Sequence, residues 1–223
     1  HSSPPRRSSD LEGSRTYNET EGVGLNDAPP GPGDLQSNRP YPTFGYMSFY
    51  MADGDAWYNG LNLKVVKRAG SDGLELLGAF TWSKATDTSD SRLDIAGEPE
   101  DRSVNVSPQQ NKALSSGNIG RRLVLTADYL LPFGHGKPFL SDGVASKVFG
   151  GWSVQAISTF SDGVWETIFL PGDTLNTGSG DSQWPDKVCN PNLPASQRTT
   201  RAWFNTSCFA TPAPFTYGNA GRS

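Results

Sequence analysis

The 223-residue chain is poor in the side chains that most site chemistry uses: it holds two histidines, two cysteines and two methionines. A catalytic triad would have to use His135, which sits in a glycine-rich turn with no nucleophile motif beside it. His1 and His135 are both distant in sequence from Cys189 and Cys208, which argues against zinc. An excess of one charge is also missing. Lys and Arg number 19 against 23 Asp and Glu, a formal charge of −4, without the basic stripe of a nucleic-acid binder. No run of ~18 apolar residues occurs, so no transmembrane helix is predicted. That absence leaves a transmembrane β-barrel open, because its strands are apolar only at alternate positions. Hydrophobic residues reach just 35%, whereas glycine (25) and proline (17) are abundant. Those two are the poorest helix formers, so the composition speaks against a helical bundle and for strands joined by turns and long loops.

Period-two alternation marks four strands. In 61–67, Leu61, Leu63 and Val65 alternate with Asn62 and Lys64. A glycine-containing turn, Ala69-Gly70-Ser71-Asp72-Gly73, leads to 74–83, where Leu74, Leu76, Gly78, Phe80 and Trp82 share one face and Glu75 lies on the other. In 121–131, Leu123, Leu125, Ala127, Tyr129 and Leu131 oppose Arg122 and Asp128. In 151–161, Trp152, Val154, Ala156 and Phe160 oppose Ser153, Gln155, Ile157 and Thr159. Residues 10–44 are expected to be loop, 46–51 a short strand and 84–120 a long polar connection.

The fold class that follows is all-β: an antiparallel meander of strands ~9–11 residues long, the length that crosses a bilayer at a tilt. Alternation alone does not separate a membrane barrel from a soluble sandwich, since both hide one apolar face. Two features favour the barrel. Connections alternate between short and long, and aromatics sit at strand ends. Trp57, Tyr58, Phe80, Trp82, Phe160 and Trp165 fall at the long-loop ends, and Tyr129, Phe133, Phe149 and Trp152 at the others, as two interfacial girdles require. In a barrel, Leu61, Leu63, Val65, Leu74, Leu76, Phe80, Leu123, Leu125, Tyr129, Trp152, Val154 and Phe160 face lipid. Lys64, Glu75, Arg122, Asp128 and Gln155 then face the lumen.

Several blocks resemble one family. They are Tyr58-Asn59-Gly60-Leu61-Asn62-Leu63-Lys64-Val65-Val66-Lys67-Arg68, Phe80-Thr81-Trp82-Ser83-Lys84, Gly120-Arg121-Arg122 and Tyr129-Leu130-Leu131-Pro132-Phe133-Gly134. Gly150-Gly151-Trp152, Trp203-Phe204-Asn205-Thr206, Arg39-Pro40-Tyr41-Pro42-Thr43-Phe44-Gly45 and Asn219-Ala220-Gly221-Arg222 extend the series. Together they resemble the barrel of TonB-dependent outer-membrane receptors of the Oar-like type, over 25–223. The resemblance implies active uptake across a bacterial outer membrane, with energy reaching the barrel through the TonB complex. It also implies that 25–223 is a partial barrel domain, lacking the plug, the TonB box and further strands. Residues 1–24 do not match. Residues 1–11 resemble a translated sequencing adapter, so 1–24 is expected to be disordered or artefactual and to pack on nothing.

Cys189 and Cys208 are expected to form a disulfide, because exposed free thiols are disfavoured in an oxidising compartment; the alternative is two unrelated thiols. The acidic series Asp87, Asp90, Asp94, Glu98, Glu100 and Asp101 lacks the spacing of a calcium loop and is read as a solvated surface. Gly134-His135-Gly136-Lys137 continues into Pro138 rather than Ser or Thr and is read as a turn, not a phosphate loop. No catalytic residue, cofactor or metal is expected. The expected partners are outer-membrane lipid, the TonB complex and a substrate such as a saccharide or peptide, with no nucleic acid. A competing function is an extracellular β-sandwich binding module, adhesin or lectin-like, using Trp165, Trp184 and Trp203.

Overall fold

The computed structural model describes residues 6–89, 102–179 and 183–222. Five long strands dominate it: β1 (Arg6–Gly24), β2 (Ser48–Lys67), β3 (Leu74–Asp87), β6 (Arg121–Leu130) and β7 (Ser153–Ser161). Four two-residue strands lie in the connections: β4 (Arg102–Ser103), β5 (Ala113–Leu114), β8 (Asp186–Lys187) and β9 (Phe209–Ala210). Two short helices, α1 (Leu35–Asn38) and α2 (Gly143–Phe149), complete the regular structure apart from two 3-10 turns. The main sheet runs β4-β1-β2-β3-β6-β7, with β5 pairing the end of β3. β2, β3, β6 and β7 therefore form the predicted antiparallel meander, each beside its neighbour in sequence.

The chain divides into two compact units. The first holds Tyr58–Lys84 and Asn118–Val164 together with the first residues of β1. Among its described residues no apolar side chain is buried. The turn between β2 and β3 is closed by Gly73 N–H donating to Gly70 O (3.1 Å) and by Lys67 Nζ donating to Asp72 Oδ2 (2.6 Å). Gly73 adopts φ +68° and lies against Leu130, leaving no room for a side chain. The β6–β7 connection holds a small loop, with Gly134 N–H donating to Phe139 O (3.1 Å), and then α2. Gly134 has φ +107°, and a Cβ there would fall 2.7 Å from Gly150 Cα, so the two glycines meet backbone to backbone.

The second unit holds Arg15–Trp57, Ala85–Gly117 and Trp165–Ser223. Its buried side chains are largely polar. Val23, Ala28, Val106, Leu175 and Cys208 are buried beside Glu21, Asn26, Asp27, Asp87, Thr177 and Gln183. Irregular backbone explains this mixture. Loops leave main-chain groups without ladder partners, and buried amides, hydroxyls and carboxylates satisfy them.

The structure corrects three boundaries. Residues 6–24, expected to be disordered, form the 19-residue β1. It is almost wholly exposed over its first half, so no apolar stripe announces it. Main-chain pairing beside β2, and the parallel bridge of Val23 and Gly24 to Arg102 and Ser103, hold it instead. The short strand expected at 46–51 is the start of β2, which continues through to Lys67. The polar connection expected from residue 84 begins later, because β3 continues to Asp87.

Candidate membrane-facing and lumen-facing surfaces

Register decides which side chains share a face. Residues directly opposite in an antiparallel ladder point the same way. β3 pairs with β6 through Leu74–Tyr129, Leu76–Ala127, Gly78–Leu125 and Phe80–Leu123. β6 pairs with β7 through Leu123–Phe160, Leu125–Ser158, Ala127–Ala156 and Tyr129–Val154. These residues therefore make one continuous apolar face. Trp152 joins it by parity, two residues before Val154. The Thr81 hydroxyl of β3 donates to Asn62 Oδ1 of β2 (2.8 Å), and Thr81 lies opposite Arg122. Asn62 and Lys64 thus belong to the other face, leaving Leu61, Leu63 and Val65 with the apolar one.

The apolar face is open. Leu125 is 44% exposed, Val154 55% and Phe160 60%. A sandwich core would cover such residues with a second sheet. The opposite face gathers the polar set. Glu75, Asp128 and Gln155 stand in one row across three strands, and Gln155 Nε2 donates to Asp128 Oδ2 (2.9 Å). Arg122 stands in a row with Thr81 and Ser161. This face is mixed rather than purely polar, since Leu77, Val124 and Ile157 share it. Arg121 shares a face with the apolar residues but only at their end, opposite Trp82, where it forms a two-pronged ion pair with Asp162 (2.9 and 3.0 Å).

The second unit contains charge pairs that sequence reasoning missed. Arg102 pairs with Glu21, both side chains nearly fully buried, and reaches Asp53 at 3.2 Å. Arg222 pairs with Asp87, again both buried. Asn26, fully buried, accepts from Tyr41 N–H (2.8 Å) and donates toward the carbonyls of Tyr41, Phe44 and Gly45. Arg39 donates to the carbonyl of Asn26 (2.6 Å). Asp173 accepts from Thr177 N–H (3.0 Å), Gly178 N–H (2.6 Å) and Gln183 Nε2 (2.5 Å). The blocks at 39–45 and 219–222 thus act as loop fasteners. Their partners lie far off in sequence, so no local pattern marks them.

Cys189 and Cys208 are joined by a disulfide, with Cα atoms 4.9 Å apart. It sits beside the β8–β9 pair, where Val188 N–H donates to Cys208 O (2.9 Å). Of the acidic series, Asp87 is engaged by Arg222, and the rest lie outside the described residues. Among the described residues no cluster of His, Cys, Asp and Glu fits a metal ion. Trp57, expected in a girdle, has the Lys112 ammonium 3.3 Å above its ring centroid and the Arg15 guanidinium at 5.1 Å. Trp165 and Trp203 are exposed, Arg198 lies 5.7 Å from the Trp203 ring, and Trp184 packs against Tyr217.

A family model described as an outer membrane beta barrel domain matches residues 10–223. No curated protein and no solved structure matches the chain. The match includes most of β1, the strand that the sequence alone did not reveal. A meander with one open apolar face is what such a domain presents to lipid. The chain belongs to the outer membrane beta barrel domain family, and its place is the bacterial outer membrane.

Proposed function

We propose that this chain is part of the barrel of a TonB-dependent outer-membrane transporter of the Oar-like type, which takes up a substrate actively. The observation that carries the reading is the series of sequence blocks from Arg39 to Arg222, which follow one another in that family's order and spacing. In this reading the apolar face of β2, β3, β6 and β7 meets lipid. Lys64, Glu75, Arg122, Asp128 and Gln155 line a wet interior through which substrate passes. The connections at 88–120 and after Ser161 meet the substrate outside the cell; their Asn, Asp and Trp content suits a saccharide or a peptide. The chain does no covalent chemistry, and energy arrives through the TonB complex.

The test is uptake by the source bacterium after disruption of this gene. Accumulation of a labelled saccharide or peptide is expected to fall, and to fall equally when TonB is inactivated in cells that retain the gene. Uptake that needs the gene but not TonB would leave a passive barrel and remove the transporter assignment.

A further inference from the structure

We propose that α2, in the connection between β6 and β7, is a membrane-surface anchor. It lies in the phospholipid headgroup layer at that end of the sheet, with its apolar side toward the acyl chains. This rests on the lipid-facing assignment of the apolar sheet face.

The sequence of α2 is amphipathic. Val144 and Val148 stand four residues apart, as do Ala145 and Phe149, and Ser146 and Lys147 take the other side. A helix at the surface of a soluble protein turns its apolar side inward. Here the apolar side is not turned inward: Val144 is 77% exposed, Val148 53% and Phe149 48%, with Lys147 exposed as well and Ala145 and Ser146 half-buried.

Two observations choose lipid as the occupant. The first is continuity. The exposed apolar face of β7 passes from Phe160 through Val154 to Trp152, whose indole Nε1–H donates to the carbonyl of Val148 (2.9 Å). The apolar face of β7, interrupted on that strand by Ser158, thus reaches α2 through Trp152. The second is chemistry. A tryptophan at the end of an apolar strand, ring exposed and N–H satisfied, suits the boundary between acyl chains and headgroups. Lys147, on the far side of α2, then carries its ammonium toward lipid phosphates.

The experiment uses the full chain reconstituted into vesicles of phosphatidylethanolamine and phosphatidylglycerol. Single cysteines at Leu125→Cys, Val148→Cys and His135→Cys carry an environment-sensitive fluorophore, attached without reductant so that Cys189–Cys208 stays closed. The Leu125 label is expected to lose intensity to bromines placed deep in the acyl chains. The Val148 label is expected to shift to the blue, lose intensity to bromines near the headgroup, and resist iodide in the water. The His135 label is expected to be quenched by iodide. A Val148 label as open to iodide as the His135 label, with the Leu125 label still in lipid, overturns the anchor and leaves the lipid face standing. A Val148 label shielded from both quenchers means a protein surface covers it, which also overturns the anchor. All three labels in water overturn the anchor and the lipid face together. Val144→Cys is expected to repeat the Val148 pattern, and disagreement between the two counts against the anchor.

Discussion

Arg222 donates from Nη2 to both the main-chain carbonyl and the carboxylate of Asp87, 135 residues earlier in the chain. Its Nε donates to the carbonyl of Asn111 (3.0 Å), so one guanidinium closes three separate segments of the loop unit. Both charged side chains are more than nine-tenths buried. Removing one partner of such a pair leaves the other charge buried and unpaired, at a cost of about 3–5 kcal/mol, whereas replacing both with apolar groups costs far less. Arg222→Ala is therefore expected to lower the stability of the loop unit, read from the urea dependence of its cleavage by protease, by an amount in that range. Arg222→Met combined with Asp87→Leu is expected to recover part of the loss. Equal losses in the single and double variants would show that the ion pair is not what fastens these loops.

Leu125 and Thr126 are adjacent on β6 and point to opposite faces. Leu125 shares its row with Gly78 and Ser158, and Thr126 with Leu77 and Ile157. Arginine at a mid-strand lipid position costs about 2–4 kcal/mol, and much less where water is at hand. Leu125→Arg should reduce assembly in the outer membrane, scored by heat-modifiable migration in gels, while Thr126→Arg should be tolerated. The reverse order would mean that the lipid and lumen faces have been exchanged.

The disulfide closes a loop across a sequence separation of 19, ending where β9 pairs with β8. Chain-entropy arguments give a bond of this span about 3 kcal/mol. Digestion without reductant is expected to yield one peptide pair linking Cys189 to Cys208. Replacing both residues with serine is expected to open the β8–β9 pair to amide exchange before the rest of the loop unit.

Asp72, in the β2–β3 turn, is held below the usual carboxylate range by the hydrogen bond from Lys67, helped by the Leu74 N–H. A carboxyl depressed in the folded state stabilises it fully above its unfolded pKa, and that contribution is lost as pH falls through the lower, folded value. An NMR titration of the Asp72 carboxyl is expected to show a midpoint below that of the unfolded chain. Lys67→Met should bring it back up, and no movement on that substitution would remove Lys67 as the cause.

The meander was readable because the apolar residues of 61–67, 74–83, 121–131 and 151–161 recur mainly in one phase, with Val66, Leu77, Val124 and Ile157 among the exceptions. Leu74 to Phe80 and Leu123 to Tyr129 set their own faces, and pairing then has one register that keeps the apolar residues together. β1 was not readable, since its backbone is held by a neighbour and its side chains carry no apolar stripe. The start of β2 was hidden for a related reason. Asp53-Gly54-Asp55 interrupts the apolar rhythm, yet Gly54 packs closely on Glu19 and Ser89, and Asp55 N–H donates to Thr88 Oγ1 (2.8 Å). The disulfide was legible from compartment chemistry. The Arg222–Asp87 and Arg102–Glu21 pairs were not, because nothing local tells an arginine which distant carboxylate it will meet.

The contact of Gly134 with Gly150 carries a practical lesson for anyone attaching a handle to this protein. The two backbones touch, and the C-terminal end of α2 closes through Gly150 N–H donating to Ser146 O (3.0 Å), so an insertion at either glycine would prise the connection apart. Two residues beyond Gly134, nothing lies within 4 Å of where a Gly136 side chain would stand, and His135 beside it is exposed. A small label on a His135→Cys variant would therefore report which side of the membrane this end of the barrel faces, without cutting the turn that Lys137 N–H closes onto Gly134 O (2.9 Å).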